Sequence, residues 1–168
     1  MTRTIVVGLP ILTLAAVLQS SVLSRLSFFG GTLDLVLLVT LGWTIAGDWH
    51  GGIVWGFIGG LGLDLFSGGP LGLAAFGLVL MAYVASLTEG RFWRSHVLLP
   101  LTTSVLGTFG FHAVVLIGLS VSGQPVNLGD ALARVTLPAA VLNAACMLPV
   151  YHALRWLRAQ VFPARVKI

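Results

Sequence analysis

The 168-residue sequence is 57% hydrophobic and only 8% charged, whereas soluble domains carry about 25% charged residues. So few charges exclude a water-soluble globular protein, because they cannot cover its surface. The net charge of +4 does not indicate nucleic-acid binding, since the basic residues never cluster on an amphipathic helix with aromatic residues between them.

Six apolar stretches follow one another along the chain and predict an all-α polytopic membrane bundle. They cover approximately residues 4–23, 33–47, 51–66, 72–88, 96–121 and 131–154. A transmembrane helix needs about 20 apolar residues, so the second and third stretches are short and a five-span arrangement is the alternative. The connections are too short for a separate domain, and we interpret residues 1–168 as one integral membrane domain.

The positions of lysine and arginine predict the orientation, because cytoplasmic loops retain basic residues. With six spans and both termini in the cytoplasm, most of the basic residues fall on the cytoplasmic side, namely Arg3, Arg91, Arg94, Arg155, Arg158, Arg165 and Lys167. Arg25 and Arg134 fall on the outer side. The pattern therefore indicates a multi-pass protein of a cytoplasmic-type membrane.

Small residues recur every four positions in the third stretch, at Gly52, Gly56 and Gly60, and Asp64 continues the series. This spacing places them near one face of a helix. In lipid, close backbone approach along small residues supplies the packing energy between helices. The face predicts either internal packing against a neighbouring helix or docking of another protein's helix.

Two carboxylates lie near the ends of consecutive spans, and the topology brings Asp34 and Asp64 toward the same outer face. A charged carboxylate at membrane depth must be paired, hydrated or protonated. The two could form a proton or cation pathway, or they could cap backbone amides and pair with Arg25 or Arg134. Because there is no third buried acid and no intramembrane lysine, we interpret both, together with Pro70 in the following turn, as structural.

Other polar side chains within the spans include Gln19, His112 and Asn143, and we expect them to face the bundle and bond across helices. The histidines lack metal-binding spacing, and no Ser-His-Asp, HExxH, GxSxG or P-loop arrangement appears. The sequence therefore predicts a protein that is not an enzyme and uses no cofactor or metal. Pro138 and Pro149 are expected to bend the sixth helix.

Short motifs follow one another through the first half of the chain. They are Leu18-Gln19-Ser20-Ser21, Leu33-Asp34-Leu35, Gly56-Phe57, Gly60-Leu61, Asp64-Leu65, Ser67-Gly68 and Pro70-Leu71-Gly72. Together with the length and order of the spans, they resemble the bacterial rod shape-determining protein MreD family. Leu33 departs from the family pattern, which often has proline before the aspartate of the second span.

The resemblance implies a non-enzymatic scaffold in the inner membrane, within the machinery that builds side-wall peptidoglycan. The implied partners are an MreC-like single-span protein, the actin-like MreB, a RodA-type glycosyltransferase and a penicillin-binding transpeptidase. The family is also similar in fold to the S components of energy-coupling-factor transporters, so a vitamin-binding S component is the alternative. The outer loops carry few of the polar and aromatic groups that such a pocket needs, and this favours the scaffold.

Overall fold

A computed structural model describes residues 2–27, 30–87 and 97–162 and shows an all-α bundle, as predicted. The helices are α1 (Thr2–Ser21), α2 (Leu35–Ile45), α3 (Trp49–Ser67), α4 (Leu73–Ser86), α5 (Leu98–Val121), α6 (Leu128–Ala131) and α7 (Leu137–Val161). A short 3-10 helix, Leu23–Arg25, follows α1, and a π-helical turn, Leu132–Thr136, joins α6 to α7.

Successive long helices alternate in direction, so α1, α3 and α5 run one way and α2, α4 and α7 run the other. Close contacts show this: Gly60 lies against Ala75 of α4, while Gly56, one turn earlier, lies against Leu78. We call the end of the bundle where α3 ends the Asp64 end, and the opposite end, where α2 ends, the Trp43 end. Within the described residues, three helical segments are long and apolar enough to cross a membrane, Arg3–Arg25, Leu98–Val121 and Leu128–Val161.

Helix α2 occupies the centre of the bundle. Ten of its eleven residues are buried, and it contacts α1, α3, α4, α5 and α7. Its length is about 16 Å, roughly half the thickness of the hydrocarbon core. Backbone without helical hydrogen bonds is tolerated at membrane depth only where protein surrounds it. The free amides and carbonyls at both ends of α2 therefore need partners within the protein. Two of the carbonyls have backbone partners, since Gly42 accepts the N–H of Ala46 and Thr44 accepts that of Gly47.

The last helical segment begins earlier and ends later than the predicted sixth span. Its π-helical turn stands directly before Pro138, which has no N–H to donate to the carbonyl of Arg134 four residues earlier. Gly30 packs directly against that carbonyl with a φ of 91°, a backbone conformation that favours glycine. Helix α7 continues through Pro149, and the bend expected at the two prolines remains a prediction.

Part of the predicted orientation falls outside the described residues. The loop with Arg91 and Arg94 and the terminal Arg165 and Lys167 lie beyond the described ranges. Among the described basic residues, Arg3 lies in the first turn of α1 and Arg155 near the end of α7, both at the Trp43 end. The orientation in the membrane remains a prediction.

Candidate functional site

The start of α2 is held by side chains from two other helices. The backbone N–H of Asp34 donates to Oδ1 of Asn143 in α7 at 2.9 Å. The backbone N–H of Val36 donates to Oε1 of Gln19 in α1, also at 2.9 Å. A helix leaves its first four amides without internal partners. Two distant side chains therefore serve as the N-terminal cap that α2 does not have within its own sequence.

The carboxylate of Asp34 forms the centre of a buried polar cluster. Its Oδ2 accepts a hydrogen bond from Nδ2 of Asn143 at 2.8 Å and lies 3.1 Å from Nε2 of His112. The same Asn143 nitrogen donates to Oγ1 of Thr108 at 2.9 Å, and Nδ1 of His112 lies 3.0 Å from Oγ1 of Thr136. We call these five residues the Asp34 junction. It joins α2, α5, α7 and the π-helical turn.

The Asp34 junction is built to position helices. Asn143 and Thr108 are completely buried, and each hydrogen bond between helices in a membrane contributes on the order of 0.6 kcal/mol. Removing one member would also leave its partners buried without hydrogen bonds. Within the described ranges, no three His, Cys, Asp or Glu side chains converge as metal ligands do.

Asp64 binds the start of α4 from the end of α3. Its Oδ1 accepts the N–H of Ala74 at 2.8 Å, and its Oδ2 accepts those of Gly72 at 2.9 Å and Ala75 at 3.2 Å. The carboxylate is buried, with 3% of the residue exposed, and a negative charge is favourable at a helix N-terminus. The carbonyl of Pro70 accepts the N–H of Leu73, which closes the turn between the two helices.

Both predicted carboxylates therefore lie at the same end of the bundle, but they bind different groups. In the part of the chain that the structure describes, the titratable group beside Asp34 is His112, whose Nε2 lies 3.1 Å from Oδ2 of Asp34. Arg134, a partner that the sequence left open for either acid, lies instead 3.5 Å from the exposed carboxylate of Asp130. An exposed pair of this kind contributes little to stability.

The predicted glycine face lies inside the bundle. A side chain on Gly60 would approach the backbone nitrogen of Ala75 to 2.6 Å, and one on Gly56 would approach a backbone carbonyl of α4 to 3.0 Å. A side chain on Gly52 would come within 2.8 Å of Cβ of Thr44 in α2. The protein's own helices occupy this face, so a docking helix would have to displace α4 or α2.

At the Trp43 end, the C-terminus of α2 is bound by a side chain that the sequence analysis assigned only to topology. The guanidinium of Arg158 in α7 donates to the carbonyls of Ala46 and Gly47, the latter at 2.6 Å. Trp43 stacks on Trp55 with ring centroids 4.1 Å apart, and its Nε1 donates to Asp48 at 2.9 Å. Both ends of the short central helix are thus capped by residues distant in sequence.

The sequence predicted that Gln19, His112 and Asn143 face the bundle, and the structure places all three at the start of α2. It missed Thr108 and Thr136. Threonine within a span commonly bonds a carbonyl of its own helix, as Thr108 also does at 2.8 Å. Nothing in the local sequence distinguishes such a threonine from one that also binds a second helix.

The family model for rod shape-determining protein MreD matches residues 1–159. The chain belongs to the MreD family. The predicted resemblance is thereby confirmed, and the Asp34 junction, Asp64 and the glycine face all lie within the matched residues. No curated protein and no solved structure matches the chain. The likeness to transporter S components remains a prediction.

Membership in the MreD family identifies the chain as a membrane protein related to rod shape determination. The site described above agrees with a structural role of its polar residues, because the carboxylates of Asp34 and Asp64 bind groups of the protein itself.

Proposed function

We propose that this protein is a non-enzymatic scaffold of the bacterial cell-elongation complex, which supports side-wall peptidoglycan synthesis by binding an MreC-like single-span protein. A RodA-type glycosyltransferase, a penicillin-binding transpeptidase and the actin-like MreB are the further partners in this proposal. The observation that carries it is the MreD family match over residues 1–159.

The arrangement of polar groups supports a scaffold over a catalyst or ion carrier. Three polar side chains each bind groups on another helix, namely Asp34, Asp64 and His112. These side chains or their neighbours also bind the backbone groups at the ends of α2. The glycine face is filled by α4 and α2. A partner would therefore bind the exposed apolar side chains on the outside of the bundle, where a single-span helix can lie in the membrane.

Copurification tests the scaffold. We expect the tagged full chain, extracted from its native membrane in mild detergent, to recover an MreC-like single-span protein. Depletion of the chain should convert rod-shaped cells to round ones. Recovery of an ATPase-coupled transporter module would support the S-component alternative and overturn the scaffold, as would recovery of neither class from cells that retain their rod shape after depletion.

The proposed location is the inner membrane, with both termini in the cytoplasm. Arg3, Arg155 and Arg158 lie at the Trp43 end, and Arg25 and Arg134 lie at the Asp64 end. Cytoplasmic ends of spans carry the excess of basic residues, so the Trp43 end is assigned to the cytoplasm.

Reporter fusions test this orientation. Fusions after Gly90 and after Gln124 should report opposite sides of the membrane, with the first in the cytoplasm. Equal signals from the two fusions would contradict the six-span topology.

A further inference from the structure

A cleft of about 740 Å³ opens at the Asp64 end, with α1 and α3 on one side and α5 and the π-helical turn on the other. Its volume lies in the usual range of roughly 300–1,000 Å³ for sites that bind small molecules.

Most of the cleft wall is apolar. The side chains that form it come mainly from α3 and α5 and include Leu63, Phe66, Phe111, Val115, Leu116 and Leu119. An elongated apolar body would bury its surface against these side chains, and each buried methylene contributes about 0.8 kcal/mol.

The charges of the cleft disfavour an anionic head group. Among the described residues that line it there is no lysine or arginine, the side chains that bind phosphate and carboxylate in most sites. Its one carboxylate, that of Asp64, already accepts three amide hydrogen bonds at the start of α4. The positive end of that helix balances this negative charge, so the wall favours an uncharged group over a cation.

Gln19 supplies a hydrogen-bond donor to the cleft. Its Oε1 accepts the N–H of Val36 at 2.9 Å, and this bond determines which side of the amide group carries oxygen. The Nε2 group has no partner among the described residues, and Gln19 lines the cleft. The neighbouring His112 uses both ring nitrogens in the Asp34 junction. Gln19 is therefore a donor that a ligand's hydroxyl or carbonyl oxygen would meet, and Thr32 and Gln124 also line the cleft.

We infer that the cleft binds an uncharged amphiphile, with a hydroxyl- or carbonyl-bearing head beside Gln19 and Asp64 and an apolar chain along α5. This inference stands on the cleft alone and does not depend on the proposed scaffold role. A bound ligand would contact both α1 and α5 at the Asp64 end, where the start of α2 is capped, and would hold these two helices together.

The test measures binding of three twelve-carbon probes to the purified full chain by native mass spectrometry. Monolauroylglycerol is uncharged, lauryl phosphate is anionic and lauryl trimethylammonium is cationic. We expect monolauroylglycerol to bind one per chain and the two charged probes to bind at least about tenfold more weakly. Equal or tighter binding of either charged probe would overturn the inferred ligand class, and no binding of the uncharged probe would overturn the site.

Two substitutions locate the site within the protein. Leu116→Trp and Val115→Phe fill the cleft and should each weaken monolauroylglycerol binding about tenfold. Leu106→Trp, on the same helix at a position that is 70% exposed, is the matched control and should bind as the wild type does. Val115→Phe is the smaller change and decides the matter if Leu116→Trp does not fold. Undiminished binding in a folded cleft variant would contradict the assignment.

Discussion

Substituting alanine for Gly60 should destabilise the bundle, whereas the same change at Gly62, half a turn away, should not. A methyl group on Gly60 would lie 2.6 Å from the backbone nitrogen of Ala75 and 2.9 Å from the carbonyl carbon before it. Backbone atoms cannot rotate out of the way, so α4 must move. A methyl group on Gly62 would lie 3.4 Å from Cβ of Ala16, an ordinary contact.

The magnitude follows from the displacement that Gly60→Ala demands. Restoring a contact of about 3.5 Å requires α4 to move by more than about 0.9 Å, because the Cα of Ala75 would lie closer to the methyl group than the nitrogen does. A shift of that size would lengthen the hydrogen bond from Ala75 to Asp64, which is already 3.2 Å. Overpacking costs about 1–3 kcal/mol and a weakened buried hydrogen bond about 1 kcal/mol. Alanine returns about 1 kcal/mol of helix propensity, so we expect a net loss of about 1–3 kcal/mol.

The assay is unfolding of the full chain in mixed micelles with a denaturing detergent, followed by the fluorescence of the stacked Trp43 and Trp55. Gly62→Ala should be neutral or more stable by up to about 1 kcal/mol, because only the propensity gain operates there. Equal stability of the two alanine variants would refute the packing argument. A Gly60→Ala protein that is as stable as the wild type but no longer binds its partner would instead favour the docking interpretation of the glycine face.

Three further predictions concern the capping groups and use the same unfolding assay. Asp64→Ala should lower the free energy of unfolding by about 2–4 kcal/mol, because three amides lose their acceptor. Asp64→Asn should lower it less, since one oxygen remains. If the wild-type protein moved protons in liposomes and a folded Asp64→Asn protein did not, a transport role would replace the structural one. Asn143→Leu should lower the free energy of unfolding by about 2–4 kcal/mol. Thr40→Val should be neutral or stabilising, because within the described residues the buried hydroxyl of Thr40 has no partner. If Thr40→Val were the more destabilising of the two, the role of the Asp34 junction would be contradicted. Arg158→Lys should lower the free energy of unfolding by about 1–2 kcal/mol although the charge is retained. An ammonium group cannot reproduce the bidentate contact of the guanidinium with the carbonyls of Ala46 and Gly47. An unchanged unfolding transition would argue against that contact.

The sequence was sufficient to predict an all-α bundle and the order of its helices. Apolar runs bounded by glycine, proline or charge mark helices in a membrane whether they face lipid or protein. For that reason nothing in the run of α2 distinguished a central helix from a peripheral one. The spacing of Gly56 and Gly60 predicted a close contact without saying which helix makes it, because the partner depends on how the whole bundle assembles.

Contacts between distant residues were beyond sequence reasoning. Asp34 and Asn143 are 109 positions apart, and Arg158 lies 111 positions from the carbonyl of Gly47. The sequence indicated that Asn143 needed a partner inside the bundle, because an amide is costly in lipid, but it could not name one. Arg158 matched the pattern of basic residues on the cytoplasmic side, so nothing in the sequence indicated that it also binds backbone carbonyls.

One physical requirement accounts for most of the polar residues inside this bundle. A buried helix of eleven residues in the centre of the bundle leaves amides at one end and carbonyls at the other that need partners from the protein. Gln19 and Asn143 accept hydrogen bonds from the amides at its start, and Arg158 donates to the carbonyls of Ala46 and Gly47, directly after its last residue. Asp34 then holds Asn143 in place through its carboxylate. Because these side chains hold the MreD-family bundle together, the partner that we propose would bind the apolar outer surface.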